Sequence, residues 1–257
     1  MTADNHPFSE REPVLVLEHL VKNFGGLRAT DDVSIEVYKG ERRAIIGPNG
    51  AGKTTLFNLI TGELPLTSGR ITLLGRDITR MAAHRRIGAG LGRTYQITNI
   101  FPGLTVEENV QLAAQGLSNS KFSFLRSLAR KGAIHEKVQQ ALDDLNLLRV
   151  RDVMVSDLSY GVQRQLEIAL ALAGDPKVLL LDEPAAGLSA AERVEIATLV
   201  RRLPKELTVI LIEHDMDLAL GLVDYVSCLH FGAIITEDVP DRIRENETIQ
   251  EIYLGAG

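Results

Sequence analysis

The residues of this chain whose types and spacing could do chemistry gather in a few short stretches. The first is Gly47-Pro48-Asn49-Gly50-Ala51-Gly52-Lys53-Thr54-Thr55, set between the apolar run Ala44-Ile45-Ile46 and the helix-like run Leu56-Phe57-Asn58-Leu59-Ile60. Strand, glycine loop and helix in that order make a phosphate-binding loop. Gly47, Gly50 and Gly52 lack a Cβ and tolerate positive φ, so successive backbone N–H groups can turn toward a polyphosphate. Lys53 opens the helix whose positive dipole end faces the same phosphates, and its ammonium is expected to reach the β and γ oxygens. Thr54 offers a hydroxyl to Mg²⁺. Downstream, the apolar run Val178-Leu179-Leu180-Leu181 ends abruptly in Asp182-Glu183. Asp182 is then placed to hold Mg²⁺ directly or through water, and Glu183 to polarise an attacking water toward the γ-phosphate. Val209-Ile210-Leu211-Ile212 ends in the same way in Glu213-His214, and His214 can hydrogen-bond the γ-phosphate from the pocket edge. Leu158-Ser159-Tyr160-Gly161 precedes an amphipathic stretch, Val162 to Ala173, and reads as a second anion-binding helix start.

These groups need strands and helices to bring them together. Val14 to Leu17 and Val33 to Val37 read as strands flanking a turn at Gly25-Gly26, and Ile71 to Leu74 follows a Ser68-Gly69 turn as another. From about Ile87 to Ser156 the texture changes: Val106 to Ala114 and Ile134 to Leu148 carry apolar residues at helical spacing. This predicts an inserted helical segment. After it, Val178 to Leu181, Val209 to Ile212 and Val226 to Phe231 are apolar runs separated by helical stretches, as expected of strands covered on both faces. In an open α/β sheet the ligand sits beyond the carboxyl ends of such strands, where the acids emerge.

Composition narrows the function. With 45% hydrophobic and 24% charged residues in 257, the chain suits one large α/β domain with a smaller insertion. No apolar run is long enough to span a bilayer. A net charge of −6 argues against a general nucleic-acid binder. The single cysteine, Cys228, excludes an internal disulfide and reads as a buried strand residue. The polar, acidic start MTADNHPFSEREP lacks the basic and apolar segments of a secretory signal and is expected to be a flexible tail, 1–13, of a cytoplasmic protein. Lys121 to Lys131 mixes basic and apolar residues and reads as a solvated surface of the insertion.

GPNGAGKTT, Gln96 in RTYQITN, LSYG, LLLDEP, the following AAGLS and His214 in IEHDM, in that order over nearly the whole chain, resemble the ATP-binding subunit of an ABC transporter. The resemblance implies an α/β P-loop NTPase core with an antiparallel β subdomain and an inserted α-helical subdomain. The core would comprise 14–86 and 157–257, and the helical insertion 87–156. It implies that Phe24 stacks on adenine, although the residues alone read Phe24 equally as a core aromatic. It also implies that Gln96 links Mg²⁺ and the γ-phosphate to the insertion, and that Ser189 ends a loop communicating between sites. The family's usual LSGGQ is altered: Tyr160 replaces the first glycine of the pair and Val162 the glutamine, while Ser159 and Gly161 remain. Tyr160, EPAAGLS and the C-terminal IYLG resemble the subunits that energise branched-chain amino acid uptake.

The resemblance further implies a head-to-tail pair, identical or paralogous, with each ATP between the glycine loop of one chain and Ser159 of the other. Permease subunits, a periplasmic or extracellular binding protein, and a peripheral place on the cytoplasmic face of the inner membrane are implied with it. Rival readings are a lipopolysaccharide-type or other lipid exporter ATPase, a soluble ABC ATPase acting without a membrane partner, and a module that switches without turnover.

Overall fold

Strands form where side chains alternate in character or run apolar, and glycine breaks them. The computed structural model describes residues 6–94, 100–116 and 127–254. β1 (Pro13–Phe24) and β2 (Leu27–Tyr38) make a hairpin turned at Gly25-Gly26. Val33, Ile35 and Val37 of β2 are buried while Ser34 and Glu36 face solvent, the period-two pattern of a half-buried strand. With β4 (Ser68–Leu73) and β5 (Arg76–Asp77) they form an antiparallel sheet in the order β2-β1-β4-β5. Ser68 and Gly69, expected to form a turn, instead open β4.

The second sheet contains β3 (Arg42–Ile46), β6 (Leu91–Arg93), β7 (Val178–Asp182), β8 (Thr208–Ile212), β9 (Tyr225–His230) and β10 (Ala233–Asp238). Its order is β10-β9-β3-β8-β7-β6, parallel except for β10. Every residue of β7 and β8 is buried, which is why their sequences run apolar without alternation. On one face Ile45, Leu180, Ile210 and Ile212 pack with Val33 and Ile35 of the small sheet and with Leu56 and Phe57 of α1 (Lys53–Thr61). On the other, Ile46, Leu179, Leu181 and Leu211 meet Val110 of α3 (Val106–Gly116), Leu142 of α4 (Ser127–Asp144), Leu166 of α5 (Tyr160–Leu172) and Ile196 of α6 (Ala190–Arg202). α2 (Ala83–Gly88) lies before β6, α7 (Met216–Leu220) follows β8, and α8 (Pro240–Glu245) and α9 (Glu247–Leu254) close the described chain.

Register decides where the chemistry sits. Ile45 of β3 is level with Ile212 of β8, which is level with Asp182 of β7, so the loops leaving these three strands emerge side by side.

Two expectations need correction. Leu91–Arg93, which falls within the helical insertion expected over 87–156, pairs with β7 as the edge of the central sheet, so the helical part starts after it. The tail expected over 1–13 is docked from His6 onward: the His6 ring lies 4.7 Å from that of Tyr38 and 4.0 Å from that of Tyr225. Its Nε2 lies 2.7 Å from Arg43 Nη2, and Arg11 donates to the Lys39 carbonyl. The slot between the two tyrosines exists only once β2 and β9 are assembled. Residues 1–5 lie outside the described part. Cys228 is buried in β9, and burial pushes its thiol up to about 12.

Candidate functional site

The glycine loop leaves β3 with a geometry that only glycine accommodates at two of its positions. A Cβ on Gly47 (φ +153°) would lie 2.1 Å from the Leu229 carbonyl oxygen, and one on Gly52 (φ +104°) 2.4 Å from that of Ala29. The backbone is therefore wrapped tightly against β9 and β2. Gly47 N–H donates to the Tyr253 hydroxyl at 2.7 Å, tying α9 to the first residue of the loop. Gly52 is the N-cap of α1 and supplies no side-chain cap, which leaves the helix-start N–H groups for a ligand.

Lys53 is buried, and its ammonium donates to the carbonyls of Gly47 at 2.6 Å and Pro48 at 3.0 Å. Burial lowers its pKa, while Glu183 and Asp182 oppose the shift by favouring the charged form. The ammonium thus lies among acceptors that a triphosphate would supplement. Thr54 is exposed on the first turn of α1 and Thr55 is half-buried beside it. Together with Asn49, Gly50, Ala51, Gly52, Lys53, Phe24, Glu183 and His214, they line one cavity of about 450 Å³. Phe24 is exposed at its mouth, with the Lys22 ammonium 5.0 Å from the ring centre.

Glu183 has φ +49°, a left-handed backbone that costs a non-glycine residue on the order of 1–3 kcal/mol. The conformation is held from both sides, since its N–H donates to the Ile212 carbonyl and its carbonyl accepts from the Ala186 N–H. The result aims the carboxylate across the strand ends. Its Oε1 meets His214 Nε2 at 2.6 Å; with Glu183 ionised, that ring nitrogen carries the proton and donates. Glu183 and His214 therefore form one unit in the same cavity as Lys53. Beneath them Glu213, buried, accepts from the N–H groups of Ala185 and His214, and burial raises its pKa. It joins the loop after β7 to the end of β8.

Asp182 is buried, and one carboxylate oxygen accepts from Arg93 Nη2 at 2.8 Å. Burial raises its pKa against the pull of Arg93. Its other oxygen, Oδ1, is buried with no hydrogen-bond partner. An orphaned carboxylate oxygen is a hard donor of the kind that Mg²⁺ takes. Gln96, expected to contact the same ion, lies outside the described residues.

The other expected anion site lies elsewhere. Ser159 is the N-cap of α5, its hydroxyl accepting from the Val162 N–H at 3.5 Å. The Tyr160 hydroxyl donates to the Ala186 carbonyl at 3.4 Å, and its ring covers Gly187. None of Ser159, Tyr160 and Gly161 lines the glycine-loop cavity. Ser189 caps α6 through a reciprocal bond with Glu192.

Arg93, Glu213 and Tyr253 lie within the sequence motifs, but their partners are visible only in the fold. The available signal for Glu213 was its place at a strand end beside His214; Arg93 and Tyr253 act through partners far along the chain.

Comparisons with known proteins agree with this geometry. Residues 30–186 match the family model described as ABC transporter. The chain is 36% identical to the high-affinity branched-chain amino acid transport ATP-binding protein BraF of Pseudomonas aeruginosa, over 95% of this chain and 98% of that protein. It is 37% identical to the protein of the same description, LivG, of Escherichia coli, with the same coverage of 95% and 98%. Among solved structures, the ADP conformation of an ATP-binding cassette of an ABC transporter superposes with a TM-score of 0.83 at 34% identity, covering 95% of this chain and 99% of that one. A nucleotide-free cassette gives 0.80 at 33% identity, covering 94% and 99%.

Proposed function

Because the chain belongs to the ABC transporter family, as an ATP-hydrolysing subunit, we propose that it energises a branched-chain amino acid importer. The observation that carries the mechanism is the convergence of Lys53, Glu183 and His214 on one cavity at the ends of neighbouring parallel strands. In this reading the loop N–H groups and Lys53 bind the phosphates, and Phe24 takes the adenine. Glu183, oriented by His214, accepts a proton from the attacking water. Thr54, Asp182 and Gln96 would hold Mg²⁺, which would supply charge neutralisation at the phosphates. Ser159, Tyr160 and Gly161 serve the nucleotide of a second subunit packed head to tail, identical or paralogous.

The helical side supplies the link to transport. Between α2, β6, α3 and α5 runs an apolar groove of about 620 Å³, with Phe101 57% exposed and Leu112 44% exposed at its surface. No helix among the described residues is long and apolar enough to cross a membrane, so a membrane-embedded permease seated in this groove would provide the pathway. The subunit then sits peripherally on the cytoplasmic face, and cargo is chosen by the permease and an external binding protein. Closure of the pair by ATP swings the helical part, and hydrolysis reopens it, a two-state element biased by the γ-phosphate.

Glu183→Gln keeps the shape and removes the base. Hydrolysis by the assembled transporter is expected to fall by about two to four orders of magnitude while equilibrium ATP binding persists. Unchanged turnover would remove Glu183 from the mechanism.

A further inference from the structure

The hairpin between β9 and β10 breaks a local rule. His230 pairs with Ala233, which leaves Phe231 and Gly232 as a two-residue loop with φ +46° and +82°. Positive φ at both central positions is the mirror-image turn that Asn-Gly forms readily, because a bulky L side chain crowds its own backbone there. Phe231 nevertheless occupies the first position. Burial does not compensate, since Phe231 is 81% exposed and its ring contact is with the neighbouring His230, 4.2 Å between ring centres.

A second turn in the molecule, whose first residue is 42% exposed, shows partial compensation. Leu74-Gly75, between β4 and β5, has the same signs, φ +50° and +72°. There Leu74 lies over Gly90, with Cδ1 3.2 Å from where a Cβ on that glycine would stand. Phe231 has no such packing, yet its turn is firmly anchored. Gly232 N–H donates to the Ala51 carbonyl at 2.9 Å, and the Asp31 N–H donates to the Gly232 carbonyl at 2.8 Å. The anchor at Ala51 is the glycine loop itself. Phe231 and Gly232 line the same cavity as Phe24, Leu27 and Gly50 to Thr55. Leu27 is also largely exposed, at 68%.

Residues that violate local preference without local gain mark function, and a fixed, exposed aromatic beside a polyphosphate cradle suits a flat ring attached to those phosphates. We propose that Phe231 is a nucleobase-contacting residue, forming with Phe24 and Leu27 an apolar rim that holds the purine of the nucleotide. This rests on the ATP-binding reading of the glycine loop and adds a second aromatic to it.

The test is equilibrium titration of wild type, Phe231→Asn and Phe231→Ala with Mg·ADP and, separately, with Mg·tripolyphosphate, which carries the phosphates without a base. Phe231→Asn restores the residue this turn prefers, so its thermal midpoint is expected to equal or exceed that of wild type. ADP affinity is expected to fall about fivefold or more in both variants, the scale of one lost aromatic–base contact. Tripolyphosphate affinity should stay the same. Equal ADP affinity for wild type and Phe231→Asn would overturn the proposal, as would equal weakening toward both ligands, which would mean that the turn acts on the loop rather than on the base. Absence of Lys53-dependent ADP binding in the wild type would instead sink the reading beneath it.

Discussion

α1 and α5 both begin in sequences suited to anions, yet the structure finishes their first turns in opposite ways. At α1 the N-cap is Gly52, no side chain bonds the first turn, and the surrounding loop is pressed against Ala29 and Leu229 by backbone contacts. At α5 the cap is a serine, its bond to Val162 is 3.5 Å long, and the chain's own α6 fills the neighbourhood. A Cβ on Gly161 would lie 2.6 Å from Glu192 Oε1, and the Gly161 N–H helps hold that carboxylate's pKa down, after the larger contributions of Ser189. One helix start is built by backbone and left open within a cavity of its own chain. At the other a carboxylate of the same chain stands beside Gly161, while Ser159 and Tyr160 remain exposed. An anion at the second start has to come from outside that cavity.

Three tests sharpen this contrast. The largest effect is expected from Ser159→Arg, which sets a bulky cation at the α5 start: ATP-dependent pairing, followed by light scattering in the presence of Glu183→Gln, should disappear while each chain still binds ATP. Surviving pairs would refute the head-to-tail arrangement. Next, Lys53→Ala removes a charge-assisted bond to phosphate and should weaken ATP binding about ten- to a hundredfold in equilibrium titration. Equal affinity would deny Lys53 its role. The smallest effect separates the caps of α5 and α6. Ser189→Ala breaks a complete capping box and should cost about 1 kcal/mol in denaturant unfolding, whereas Ser159→Ala, losing a long bond, should cost only a few tenths. Similar losses in both would show that the α5 cap is stronger than its geometry.

Much of the site was legible because it is local in sequence. The glycine spacing, Lys53 and the acids ending β7 lie within runs whose apolar pattern also names the strands. The edge strand β6 was misread because three residues, Leu91-Gly92-Arg93, carry too short a pattern to separate from the helical stretch after them. The docking of His6 was missed because its slot is made by Tyr38 and Tyr225, from strands far apart in the chain. The roles of Arg93 against Asp182 and of Tyr253 against Gly47 escaped notice for the same reason, since each spans many residues.

The sequence by itself determined the elements and the chemistry available at their ends: where backbone N–H groups can open to phosphate, where a carboxylate must follow a buried strand, and which positions only glycine can occupy. These follow from covalent geometry and short-range pattern. Tertiary structure alone decided which of those ends meet. Strand order set β7, β3 and β8 together and kept α5 out of the cavity, turned Asp182 toward Arg93 and Glu183 toward His214, and placed Phe231 at the rim, because proximity between distant segments is a property of packing and register rather than of any local stretch.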